Sequence, residues 1–141
     1  MGMIRLATAA VFLSLACGCN IAAAEEIDTS AGMAAVTEWL SVVDRGAYGD
    51  SWDRAAQRFR ESIERAKWEM AVDSARRPLG PVLMRKLRTA TFARSLPGAP
   101  EGEYVVIQYD TVFEKVPLAA ESVTSEREKD GTWRVAGYWI K

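Results

Sequence analysis

Two acidic residues in predicted strands, Asp110 and Glu121, are the candidates for a general base. The phenol groups that could donate hydrogen bonds beside them belong to Tyr48, Tyr104, Tyr109 and Tyr138. A single carboxylate next to a phenol can shift a proton beside a carbonyl group, as an isomerase or a lyase does. An enzyme would therefore use Asp110 or Glu121 with Tyr109 or Tyr138. The sequence favours the alternative that both acids lie on a solvated sheet face, the usual position of a lone carboxylate.

The residues that most other enzyme mechanisms require are absent from this sequence. There is no histidine, and the two cysteines, Cys17 and Cys19, both lie near the N-terminus. A serine nucleophile therefore has no imidazole base, and a Cys/His zinc site cannot form. The sequence also lacks a glycine-rich phosphate loop and the closely spaced acids of a calcium loop. We predict no metal and no cofactor, and a binding protein is favoured over an enzyme.

The N-terminus has the pattern of a secretory signal peptide. Arg5 precedes an apolar run over residues 6–16, and the small residues 22–24 form a cleavage site. The run is too short for a transmembrane helix. Residues 1–24 are thus predicted to be removed, leaving a single domain over residues 25–141 in the periplasm or outside the cell. The alternative is a lipid-anchored envelope protein, because residues 16–19 resemble a degenerate lipoprotein box ending at Cys19.

The charge balance argues against a nucleic-acid partner. The chain has 18 Lys+Arg and 19 Asp+Glu, and loss of Arg5 with the leader would make the net charge −2. The charges are interspersed along the chain. We therefore expect neither a basic stripe for nucleic acid nor a polybasic membrane patch.

Hydrophobic periodicity predicts helices in the first half of the domain. Met33, Val36, Leu40 and Val43 follow the helical period, with Thr29 or Ser30 as the N-cap and an end at Gly46. A second helical pattern, capped by Asp50 or Ser51, runs to Arg77 before Pro78 and Gly80 stop it. Its apolar face shifts along the way, which predicts a kink or break between residues 61 and 66.

After Pro81 the hydrophobic period changes to two, which indicates strands. The expected strands cover residues 87–96, 104–115, 118–128 and 132–141, with a short break at Val116 and Pro117. Val105, Ile107, Tyr109 and Phe113 should share one face. The sequence thus predicts an α+β fold in which N-terminal helices pack on a four-stranded antiparallel meander sheet.

The register of the final hairpin follows from its charges. A two-residue turn at residues 130–131 would set Arg127 directly opposite Arg134, and like charges are unfavourable there. A three-residue loop with Gly131 in the left-handed bulge position instead pairs Glu126 with Arg134. We predict the three-residue register.

The last strand is apolar on both faces: Trp133, Val135 and Trp139 on one, Ala136, Tyr138 and Ile140 on the other. One face must meet the helices. The other is expected to line a pocket for a small apolar ligand or to pair with a second copy in a homodimer.

Aromatic residues and one arginine are the candidate ligand-binding residues: Trp52, Trp68, Arg76, Tyr104 and Tyr138. The tryptophans could form a stacking wall, but tryptophans at helical spacing are more often core residues. Arg76 could bind an anion. It lies at a helix C-terminus, which repels anions, so a carboxylate partner or carbonyl capping is favoured.

A set of residues spread along nearly the whole mature chain resembles the sequence pattern of domain-of-unknown-function family 4019. They are Trp39-Leu40, Asp44, Gly46, Tyr48, Ser51-Trp52, Phe59, Trp68, Arg76, Pro78-Leu79-Gly80, Leu96 to Pro100, Gly102-Glu103-Tyr104, Asp130-Gly131, Trp133-Arg134-Val135, Gly137-Tyr138 and Ile140-Lys141. The family consists of bacterial exported proteins with no assigned activity. More distantly, the pattern resembles the cystatin-like or nuclear-transport-factor-like cone, which implies a curved sheet around a helix and an apolar pocket.

The expected function is that of a non-enzymatic binding or accessory module of the bacterial periplasm or envelope, with an unknown protein as its partner. One alternative is a carrier or sensor that holds a small apolar ligand in the cone pocket. Another is an isomerase- or lyase-like enzyme with a single carboxylate base. The fold alone does not choose among these functions.

Overall fold

The computed structural model describes residues 27–141, and the predicted signal peptide and Cys19 lie outside this range. Within it the elements are α1 (Ser30–Asp44), α2 (Tyr48–Asp53), α3 (Gln57–Ser62), α4 (Arg65–Arg76), β1 (Val82–Ala93), β2 (Tyr104–Phe113), β3 (Val116–Arg127) and β4 (Trp133–Ile140). The strands form one antiparallel sheet in the order β1-β2-β3-β4. The predicted α+β fold, with helices before a four-stranded meander, is confirmed.

The helical half is more divided than the periodicity predicts. The break between residues 61 and 66 is confirmed, since α3 ends at Ser62 and α4 begins at Arg65. A second break separates α2 from α3, where the Ala56 N–H donates to the Val135 carbonyl at 2.8 Å instead of continuing a helix. The predicted cap at Asp50 or Ser51 is wrong, because α2 already begins at Tyr48. A hydrogen bond to the sheet thus overrides the local helical pattern.

The register of the final hairpin is confirmed. Glu126 pairs with Arg134 and Arg127 pairs with Trp133, so the two arginines are not opposite each other. Gly131 has a φ of 82°, and its N–H donates to the Glu128 carbonyl at 2.9 Å. Only glycine adopts this left-handed conformation without strain.

The predicted break at Val116 and Pro117 is wrong, since β3 begins at Val116. Within residues 27–141, this end of β3 pairs with β2 alone, because the β3–β4 register begins at Glu121. A proline, which has no N–H to donate, is compatible with such an edge position.

One face of the sheet packs on the helices. As predicted, Val105, Ile107, Tyr109 and Phe113 are all buried on that side. The predicted faces of β4 are wrong, because the register shifts between Gly137 and Val135. This bulge turns Val135 towards the helices, where it is buried, and leaves Trp139 on the opposite face, 57% exposed.

Edge-to-face aromatic contacts fill the layer between the helices and the sheet. The Phe59 and Trp68 rings lie 4.8 Å apart, and Trp39 lies 5.4 Å from Tyr138. The fully buried Ser51 satisfies both indole N–H groups: its carbonyl accepts from Trp39 at 2.8 Å and its Oγ accepts from Trp68 at 3.0 Å. One small polar residue therefore allows two tryptophans to be buried.

Replacing Ser51 with alanine should lower the free energy of unfolding by about 1–3 kcal/mol, because the Trp68 N–H would remain buried without a partner. Urea unfolding followed by tryptophan fluorescence measures the loss. The matched control is Ser41→Ala, which removes an exposed hydroxyl from α1 and should change little. Equal effects of the two variants would contradict the role given to Ser51.

Candidate functional site

Four charged side chains from two helices and two strands meet at one end of the helix–sheet interface. Asp44 ends α1, Arg76 ends α4, Arg85 comes from β1, and Glu121 comes from β3. We call these four residues the buried charge cluster. Two guanidinium groups face two carboxylates, so the cluster carries no net charge.

Glu121 is the centre of the cluster and is 1% exposed. Its Oε1 accepts from Arg85 Nε at 2.8 Å and from the Thr111 hydroxyl at 2.6 Å. Its Oε2 accepts from Arg76 at 3.4 Å, from a second nitrogen of Arg85 at 3.3 Å, and from the Tyr138 hydroxyl. Both carboxylate oxygens are therefore fully engaged by protein donors.

Asp44 closes the outer side of the cluster, with its side chain 27% exposed. It accepts from Arg76 at 2.6 Å and from two nitrogens of Arg85 at 2.8 and 3.0 Å. Partial burial raises the pKa of Asp44, but the hydrogen bonds from Arg85 and Arg76 outweigh this, and the net pKa is lowered. The same bonds from Asp44 and Glu121 raise the pKa of Arg85 despite its own burial.

Tyr138 is held in its neutral form. Burial raises its pKa above the ordinary value, and the negative charge of Glu121 adds to this effect. Its hydroxyl accepts from Arg76 at 2.9 Å and donates to Glu121. The phenol is thus fixed between a cation and an anion of the cluster.

The cluster is closed as a catalytic site. Glu121 and Tyr138 are brought together, but the carboxylate of Glu121 is enclosed by the two guanidinium groups and has no access to solvent. The expectation that Glu121 lies on a solvated sheet face is wrong, because the register of β3 turns it inward. Tyr109 pairs with Glu121 across the ladder, and burial raises its pKa as well. Because Glu121 is enclosed and hydrogen-bonded at both oxygens, this arrangement offers no accessible base to a substrate.

Asp110 lies on the other face of the sheet, as the sequence favours. Its carboxylate is 33% exposed and forms an ion pair with Arg88 of β1. No tyrosine accompanies it there, because Tyr109 points to the helices. The two candidate bases are therefore on opposite faces of the sheet.

The other candidate binding residues are engaged within the fold and do not share one site. The Trp52 N–H donates to the Ile63 carbonyl at 2.8 Å, and Trp68 is a buried core residue. The Tyr104 hydroxyl donates to the Pro100 carbonyl at 2.6 Å. Arg76 has the carboxylate partners that the sequence favours, Asp44 and Glu121.

Within residues 27–141 no helix or strand covers the sheet face opposite the helices, and we call this face the open face. Its exposed apolar side chains include Met84, Leu118 and Trp139. A groove of about 480 Å³ runs across its centre and is lined by the side chains of Arg88, Gln108, Ala120, Ser122, Trp139 and Lys141. We call it the Trp139 groove. Unlike the buried charge cluster, it presents a ring and polar side chains to solvent.

Sequence reasoning missed Asp44 and Arg85 in the cluster and Thr111, which donates to it. It also missed Arg88 and Gln108 in the groove. An arginine in an otherwise apolar strand, such as Arg85, is a weak signal for a buried ion pair. Its partner, Asp44, lies 41 positions away along the chain. Only the packing of α1 on the sheet brings them together.

Among residues 27–141 no group of three or more His, Cys, Asp or Glu side chains could hold a metal ion. None of the helices in this range is long and apolar enough to cross a membrane.

An antiparallel sheet with helices on one face and the other face uncovered defines the class of this domain. Within that class, the family model described as "Protein of unknown function (DUF4019)" matches residues 35–138. The chain belongs to this family. No curated protein matches it significantly.

A solved structure from Catenulispora acidiphila, at 2.5 Å, is similar to the chain, with 15% sequence identity and a TM-score of 0.46. The alignment covers 77% of this chain and 89% of that chain. The resemblance to the cystatin-like cone stays a prediction.

Replacing Glu121 with glutamine should lower the free energy of unfolding by about 3–5 kcal/mol, because Arg76 and Arg85 would remain buried with Asp44 as their only counter-charge. Chemical denaturation at pH 7 measures the loss. Glu38→Gln is the control, since it breaks a solvent-exposed pair with Arg54 and should have little effect. A small loss for Glu121→Gln would mean that the cluster does not hold the fold together.

Replacing Asp44 with asparagine should make stability less dependent on acid. Because the folded-state pKa of Asp44 is lowered, its stabilisation is complete above the ordinary value of 3.8 and is lost as the pH falls through the folded-state pKa. The wild type should exceed Asp44→Asn by about 2–3 kcal/mol at pH 7. Urea unfolding between pH 7 and pH 3 should show this difference shrinking below pH 4, and a constant difference would contradict the assignment.

Proposed function

We propose that the mature chain is an exported, non-enzymatic binding module of the bacterial envelope that contacts its ligand through the open face. The single observation that carries the proposal is the contrast between the two faces of the sheet. The face towards the helices ends in a largely buried cluster with no net charge, whereas the open face exposes Trp139 in a groove of polar side chains. An exposed aromatic ring surrounded by polar groups is typical of a binding surface.

Export is inferred from the leader pattern of residues 1–24. Cleavage there, or lipid attachment at Cys19, would leave no free thiol in the mature protein. A stable core without disulfides is consistent with the buried aromatic layer between the helices and the sheet. Native mass spectrometry of the protein from its host's envelope fraction would distinguish a chain beginning at Glu25 from a lipidated chain beginning at Cys19.

The two alternative functions gain less support. A carrier of a small apolar molecule needs space between the helices and the sheet, but Trp39, Phe59 and Trp68 pack against one another there. An enzyme needs an accessible base beside a proton donor. Glu121 is inaccessible, and Asp110 has an arginine and no tyrosine as its neighbour.

The alternative function of the open face is to form the interface of a homodimer. Arg88, Gln108 and Asp110 occupy the centre of the face. Packing two copies face to face would bury these polar groups, which is unfavourable unless each finds a partner. The central charges therefore favour a polar ligand over a second copy.

Single cysteines test whether the open face is occupied in the cell. Gln108→Cys places a thiol in the Trp139 groove, and Ser41→Cys places one on the exposed side of α1. Both should react with maleimide at similar rates in the purified protein. In intact envelopes we expect Gln108→Cys to react several-fold more slowly, while Ser41→Cys keeps its rate.

Equal reactivity of the two thiols in envelopes would overturn the assignment of the open face as the binding surface. Reduced reactivity of both would indicate a general barrier to the reagent. A cell-permeant maleimide removes that barrier, so repeating the comparison with it isolates protection at position 108.

A further inference from the structure

We propose that the Trp139 groove binds an acidic saccharide, a sugar chain that carries carboxylate groups. The inference rests on the proposed function, because it assigns a ligand class to the open face. The position of one aromatic ring, the polar side chains beside it and the local balance of charge support this assignment.

The Trp139 indole is held flat on the sheet. A Cβ built at Gly137, two residues earlier in β4, would lie 2.3 Å from the ring carbon Cη2. The ring therefore covers the space that a side chain at this position would fill. One ring face meets the backbone and the other faces solvent, since the residue is 57% exposed. A fixed aromatic face attracts the weakly positive C–H groups of a sugar ring.

Hydrogen-bonding side chains follow the ring across the sheet. Trp139 pairs with Ser122, and Ser122 pairs with Gln108 on the next strand. Directly paired side chains in antiparallel strands have Cβ atoms about 4.5–5.5 Å apart. The Ser122 hydroxyl and the Gln108 amide therefore lie in a row beside the Trp139 ring. Their spacing suits hydrogen bonds to the hydroxyl groups at the rim of a sugar ring.

The charge of the groove favours an acidic ligand. Asp110 is the carboxylate that faces the groove region, and Arg88 already neutralises it. Lys141 lines the groove, and Lys86 pairs with Asp110 in the β1–β2 ladder, on the same face. Neither lysine side chain forms an ion pair within residues 27–141, so the cationic side chains Lys86, Arg88 and Lys141 outnumber the carboxylate of Asp110 on this face.

A protein partner fits this surface less well. The apolar side chains Met84, Val112 and Leu118 lie together at one end of the open face, away from the ring, according to the strand register. The intervening surface carries Lys86 and Asp110. A protein interface usually concentrates its apolar area at the centre and its charges at the rim, which is the reverse of this arrangement.

Calorimetric titration of the full chain with trigalacturonate tests the proposal, with neutral maltotriose as the matched probe. We expect trigalacturonate to bind at least about fivefold more tightly than maltotriose at low salt, and the difference to shrink as salt screens the charges. Trp139→Ala should weaken trigalacturonate binding about tenfold or more.

Two further variants test the contribution of the charges to binding separately from that of the Trp139 ring. Asp110→Asn frees Arg88 and should tighten trigalacturonate binding about two- to fivefold, whereas Lys141→Gln should weaken it by a similar factor. Leu118→Ala removes an exposed side chain from the open face outside the groove and should leave binding unchanged. Circular dichroism confirms that each variant is folded.

The proposal is overturned if trigalacturonate does not bind at millimolar concentrations, or if maltotriose binds equally well. Binding of adenosine monophosphate in its place would assign the groove to nucleotides. Loss of a dimer on Trp139→Ala, without saccharide binding, would assign the face to a second copy. If Gln108→Cys is protected in envelopes but no saccharide binds, the ligand class is wrong and the proposed function stands.

Discussion

The burial of Glu121 is the constraint on which the rest of the structure depends. A carboxylate without access to water is tolerated only when its charge is balanced and its oxygens are hydrogen-bonded. Arg76 and Arg85 supply the charge, and Asp44 in turn balances the second guanidinium. These partners come from the ends of α1 and α4 and from β1, so satisfying one carboxylate fixes how the helices lie on the sheet.

The cluster also explains why the two faces of the sheet differ in character. In the described part of the chain, β1 is an edge strand that pairs only with β2, and Arg85 connects it to α1 through Asp44. The opposite face does not pack against the helices of this core. It can expose Trp139 and polar side chains, which a face that packs against a core cannot do. The buried charge cluster and the surface proposed to bind a ligand thus lie on opposite faces of the same sheet.

Local chemistry made much of the fold predictable. The like charges of Arg127 and Arg134 were enough to select the hairpin register, because cross-strand repulsion acts between immediate neighbours. The sequence predictions were wrong where the local structure depended on a residue that is distant along the chain. Ala56 leaves the helical pattern for a hydrogen bond to Val135, and the bulge near Ala136 reverses the faces of β4. The break at Ala56 has no signal in the adjacent sequence, whereas Gly137, a glycine inside a strand, is a weak local signal for the bulge.

The sequence by itself determined the α+β order, the helix and strand periods, the turn glycines and the absence of histidine chemistry, because each depends on residue type and short-range spacing. The tertiary structure alone decided that Glu121 is buried and ion-paired while Asp110 faces solvent, and that Trp139 lies over Gly137 on the open face. Side chains alternate between the faces of a strand, so one bulge or one step of register moves a residue from core to surface. The identity of the candidate site therefore depended on long-range pairing that the local pattern does not encode.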